Sequence, residues 1–120
     1  MIETLIPQLL NASTAVTSLI GTRIYPVYLK NNATLPALDF KIISATPDPT
    51  FQTEGMTRYR VEINCWGNTY SDAVNLRAAV KASLNGFYDG HTVVRFLSIQ
   101  DFGEDTLLQY RALIEFYVFA

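Results

Sequence analysis

The most constraining feature of the chain is a change of hydrophobic period in the segment RVEINCWGNTYSDA, residues 60–73. Up to Cys65 the pattern repeats every second residue. Tyr59, Val61, Ile63 and Cys65 share one side; Arg58, Arg60, Glu62 and Asn64 share the other. Side chains alternate across a strand, so this one buries a single face. Across Trp66 and Gly67 the period changes. Thr69-x-x-Asp72 has the form of a helix start, with a hydroxyl to cap the first turn and a carboxylate near the positive end of the helix dipole. Ala73, Leu76, Val80, Leu84 and Phe87 then form a helical stripe that ends at Asn85-Gly86. A one-sided strand followed at once by a one-striped helix predicts a sheet with a helix laid over it.

The remaining segments fit that plan. Ile2, Leu5, Ile6, Leu9 and Leu10 make an apolar face at helical spacing, with Pro7 early, where a lost N–H costs least. Asn11-Ala12-Ser13 reads as a break with Ser13 as a new N-cap, and a second helix runs from Thr14 to Ile20, stopped by Gly21. Thr22–Leu29 is extended, and Pro26 confines it to an edge or a loop. Ala37–Ala45 alternates as a strand, with Leu38, Phe40 and Ile42 opposite Asp39, Lys41 and Ile43. Residues 46–55 read as a long loop. His91–Gln100 and Leu107–Phe119 read as strands joined by a turn over 101–106. The last strand places Ala112, Ile114, Phe116 and Val118 on one face and Arg111, Leu113, Glu115, Tyr117 and Phe119 on the other, which is too apolar for plain solvent. The expected fold is α+β in one domain, residues 1–120: a mainly antiparallel four-stranded sheet plus a short edge strand, with helices packed on one face.

Composition narrows the function. Net charge is −2, with no basic cluster, which argues against a nucleic-acid module. Charged residues are 17% of the chain and aromatics 12%. Fewer charges than the ordinary quarter or so, with many rings, suit a surface that meets other chains. A single cysteine forms no internal disulfide. The N-terminus carries Glu3 and lacks a basic leader, and no apolar run is long enough to span a bilayer, so a soluble intracellular product without a membrane role is expected.

No catalytic constellation emerges. Cys65 is in register with core residues and reads as a small hydrophobe rather than a nucleophile, although a helix start lies near. His91 stands alone and builds no multi-histidine metal site. Asp101, Glu104 and Asp105 lack the ligand ladder of a calcium loop, and Asp101-Phe102-Gly103 has no kinase context around it. The sequence predicts a non-enzyme with no catalytic, cofactor or metal site.

Several stretches resemble one family. Leu19-Ile20-Gly21-Thr22-Arg23-Ile24-Tyr25-Pro26 resembles its L-V-G-x-R-I-Y-P segment, and Leu35-Pro36-Ala37-Leu38 its L-P-A-L. Residues 60–66 followed by Thr69-Tyr70-Ser71-Asp72-Ala73 resemble its R-V-Q-I-D-C-W/Y … T-Y-x-E-A signature, with Asn64 and Asp72 as conservative departures. The family is that of the phage tail-completion proteins, formerly a domain of unknown function. It is similar in fold to the tail terminator and tail-to-head joining proteins of long non-contractile-tailed phages. The resemblance covers residues 2–118. It implies a virion protein, assembled in the host cytoplasm, that forms a homohexameric ring at the head-proximal end of the tail. Such a ring stops tube polymerisation and offers a docking surface to the head connector and neck proteins. DNA passes through without being specifically bound.

A ring needs two different patches on each copy. The candidates are Tyr25, Val27 and Tyr28 on one side and Leu113, Tyr117 and Phe119 on the other. Asp48, Phe51, Gln52 and Glu54 are the candidates for contact with tube or connector, Phe51 being a lone ring among polar residues. Two alternatives stay open: another neck component (head-completion or adaptor protein), or an unrelated α+β module with Trp66 and tyrosines lining a ligand pocket.

Overall fold

A computed structural model describes residues 2–30, 32–47, 56–104 and 109–120. Its elements in chain order are α1 (Ile2–Ala12), α2 (Thr14–Ile20), β1 (Ile24–Pro26), β2 (Ala37–Pro47), β3 (Thr57–Gly67), α3 (Tyr70–Leu84), β4 (Val93–Glu104) and β5 (Gln109–Phe119). The five strands form one mixed sheet in the order β1-β2-β3-β5-β4. Only β1, which pairs with β2, runs parallel to its neighbour; the long strands are antiparallel. The fold is therefore the α+β sheet that the alternation predicts, with β1 as its short edge strand.

Local chemistry sets the boundaries. Ser13 Oγ accepts a hydrogen bond from Val16 N at 3.4 Å and starts α2 where α1 stops. Gly21 ends α2 at φ 59°, a conformation open to glycine. Thr69 Oγ1 accepts from Asp72 N at 3.1 Å and starts α3. The close approach between β3 and α3 depends on Gly67. A Cβ there would sit 2.7 Å from Ala73 N and 2.9 Å from Asp72 Cβ.

The helices meet one face of the sheet. Ile2, Ile6 and Leu10 from α1, Val16 and Ile20 from α2, and Leu76, Val80 and Leu84 from α3 close on Phe40, Ile63, Ile114, Phe116 and Val118. Between β3 and β4, which are parallel to each other, α3 forms the crossover, and β5 then returns into the gap between them.

Several boundaries differ from expectation. Thr46 and Pro47, placed in a loop by their composition, extend β2 by pairing with Arg58 and Thr57. Asp101–Glu104, expected as turn, extend β4 opposite Ala112–Gln109. In both cases a long partner strand outweighs weak local strand preference. Phe87 lies past the end of α3, yet still packs against the core. His91 and Thr92 precede β4 in a turn held by Asp89 Oδ1, which accepts from both backbone N–H groups at 2.9 and 2.7 Å.

Candidate functional site

On the sheet face away from the helices, a ladder of polar and aromatic side chains takes the place of a second layer. Register places Asp39 beside Asn64 and Asn64 beside Leu113; Lys41 beside Glu62 and Glu62 beside Glu115; and Arg60 beside Tyr117. Contacts within and between these rows tie the face together. Asp39 accepts from Asn64 Nδ2 at 2.9 Å and from Trp66 Nε1 at 2.8 Å. Lys41 pairs with Glu62 at 3.2 Å, and Arg60 with Glu115 at 2.5 Å. Arg58 lies 5.0 Å over the Tyr117 ring, and the Tyr117 and Phe119 centroids are 6.2 Å apart. Arg111 lies against the faces of both Trp66 and Phe102. Long side chains lying flat in this way cover apolar surface while keeping their heads polar.

Leu113, a ring-contact candidate, is on this face and 3% exposed in the single chain. Tyr117 and Phe119 are half-buried.

Beside the ladder is an open cleft of about 440 Å³, walled by Val27–Leu29 on one side and floored by Asp39, Asn64, Trp66 and Arg111. Burial pushes the Asp39 carboxyl upward, against the lowering effect of its hydrogen bonds from Asn64 and Trp66. Among the described residues, Asn64 Oδ1 and Arg111 Nε are buried without a hydrogen-bond partner.

The candidate residues divide between two places. Tyr25 lies in β1; Val27 and Tyr28 follow it, 48% and 78% exposed. Val27 has φ 68°, rare for a β-branched residue, and Tyr28 N closes a tight turn around it by donating to Pro26 O at 2.8 Å. This segment borders the β2 edge, whereas Tyr117 and Phe119 stand on β5. Asp48, Phe51, Gln52 and Glu54 lie outside the described residues. Sequence reasoning passed over Ile43, Ile99, Phe102 and Tyr110, which are exposed apolar groups. Register irregularities at Ile42/Ser44 and Phe96/Ser98 change which side chains surface, and simple alternation does not reveal them.

Cys65 is fully buried, and burial pushes its thiol pKa far up, the reverse of what a nucleophile needs. Asp101 is tied to α3: it accepts from Tyr70 OH at 2.8 Å and pairs with Arg77. No helix among the described residues is long and apolar enough to cross a membrane.

The family model of the tail completion protein gp17 matches residues 4–118. The chain belongs to this family. It is thus a structural component of phage tails. A similar fold occurs in a chain from the "Virion of native gene transfer agent (GTA) particle", with TM-score 0.71 at 18% identity, covering 95% of this chain and 90% of that one. No curated protein matches the sequence.

Proposed function

We propose that this tail-completion protein caps the tail tube as a ring of identical copies, ends tube polymerisation and presents a docking surface to the head connector. The carrying observation is family membership over residues 4–118, joined to a sheet whose outer face none of the described helices covers. The GTA chain of similar fold, found in a virion, agrees with a virion role. The work is done by surface complementarity. Tyr25, Val27 and Tyr28 on one side, and Tyr117 and Phe119 on the other, contribute to contact between copies. The segment carrying Asp48, Phe51, Gln52 and Glu54 meets the tube or connector. The head-proximal end of the tail is its place, reached by assembly in the host cytoplasm.

The test is deletion. Particles produced without the protein should carry over-long tails and unjoined heads. Tails of normal length with joined heads would overturn the capping role. Tails of normal length with unjoined heads would move the protein to another position in the neck.

A further inference from the structure

The sheet ends in two strand edges that no described residue fully pairs. On β2, pairing with β1 stops at Phe40, where Val27 N donates to Phe40 O at 2.7 Å. Residues 42–47 continue without a partner on that side. On β4, Val94 exchanges hydrogen bonds with Gly86 and Phe87, and Phe96 N donates to Asn85 Oδ1 at 3.0 Å. Residues 98–104 lie beyond these contacts. An unpaired edge is a template for another strand, and proteins that stay monomeric usually guard it with charge or Pro. Residues 42–46 carry no charge, and Pro47 guards only the end.

The two edges suit each other. Counting across the sheet, β2 and β4 run in opposite directions. Copies set side by side around a ring therefore bring β4 of one against β2 of the next in antiparallel order. Each edge also carries an exposed apolar side chain: Ile43 at 49% and Ile99 at 50%. A largely apolar hollow of about 380 Å³, lined by Pro26, Val27, Phe40 and Ile42 with Glu3 and Lys41, opens beside the β2 edge. Phe102, 37% exposed, lies on β4.

The offset between the edges fits closure. Ala45, in the middle of the unpaired β2 stretch, is level with Val94 through Tyr59 and Val118. Asp101, the middle of the unpaired β4 stretch, lies about six residues further along. At ~3.3 Å per residue and ~4.8 Å per strand, that stagger over four strands means a strand tilt of roughly 45°, close to what closed sheets adopt.

We infer that copies of this chain join edge to edge, residues 98–104 of β4 adding antiparallel to residues 42–47 of β2 in the next copy, so that the sheet continues around the ring. This rests on the ring reading above and adds the strand edges to the contacts between copies.

The experiment uses Ile43→Lys and Ile99→Lys, each blocking one edge at a half-exposed position. Ala82→Lys, on an exposed turn of α3, controls for charge. Thermal melting verifies that each variant folds. Association is read by sedimentation of the full chain up to millimolar concentration and by incorporation into particles. Ile43→Lys and Ile99→Lys should each lose association and incorporation, and Ala82→Lys should keep both. Mixed together, the two edge variants should form a dimer and nothing larger, because one good edge of each kind remains. Incorporation of both edge variants at the wild-type level overturns the edge assignment and leaves the capping role standing. Loss with Ile99→Lys alone overturns it in favour of a two-fold β4–β4 contact. A wild-type chain that neither associates nor enters particles overturns the edge assignment and the ring together.

Discussion

Gly67 is the residue on which the turn from β3 into α3 depends. Its Cβ position is filled by the backbone of Ala73, and backbone cannot swing aside as a flexible side chain does. Gly67→Ala should therefore destabilise the fold by about 1–3 kcal/mol, in the range of overpacked cores. The urea midpoint should fall with an unchanged slope. Cys65, one turn of the pleat away, should label with a thiol reagent only as fast as the protein unfolds, because burial disfavours its thiolate. Labelling at the rate of a small free thiol would contradict that. Titration of single carboxylates has a defined sign. Asp101 is held below the ordinary range, first by the Tyr70 hydroxyl and then by Arg77, so its contribution is present above that range. It disappears as pH falls through the depressed folded value. Asp39, raised by burial, acts oppositely: it favours the fold when protonated, and that part is lost as pH rises through its raised value. Asp101→Asn should thus be less stable than wild type at neutral pH and converge with it in strong acid, as read from denaturant midpoints across pH.

Elements with a periodic core face were legible in the sequence; elements fixed by a neighbour were not. The alternation of β3 and β5 and the stripe of α3 announced the sheet and its cover. So did the caps, since Ser13 and Thr69 act through their own hydroxyls on residues three positions away. The extension of β2 through Pro47 and of β4 through Glu104 was hidden, because only partner strands make those residues extended. The outer face was half legible. Its aromatic and charged members were evident, but the burial of Leu113 on that face was not. The turn after β1 was hidden as well, because Val27 carries none of the usual signs of a positive φ. That turn yields its own prediction. A β-branched residue at φ 68° stores strain of the order of 1–3 kcal/mol, which glycine would release at an entropic cost of about 1 kcal/mol. Val27→Gly should accordingly leave melting temperature unchanged or slightly higher. Because it removes an exposed apolar group beside the β2 edge, it should also weaken incorporation into particles. A marked loss of melting temperature would show instead that the Val27 side chain braces the fold.

At the scale of the molecule, charge is scarce and most of its cations are already committed. The chain has 9 cationic residues against 11 acidic ones. Lys41, Arg60 and Arg77 are in ion pairs; Arg58, Lys81 and Arg111 lie on aromatic rings; and Arg23 donates to the carbonyls of Pro36 and Leu19. Affinity for DNA comes mainly from cations that displace the counterions of phosphate, and cations bound within the protein surface do this poorly. In the ring proposed above, such copies would surround a duplex without gripping it. The purified protein should show no retention of double-stranded DNA at roughly 150 mM salt, and only weak, steeply salt-sensitive retention near 20 mM. Glu115→Gln makes the argument sharper: it releases Arg60, whose partner it is, without changing the number of cations. DNA retention at low salt should then rise. Tight binding by the wild-type chain at physiological salt would mean that the outer face grips DNA rather than neighbouring proteins.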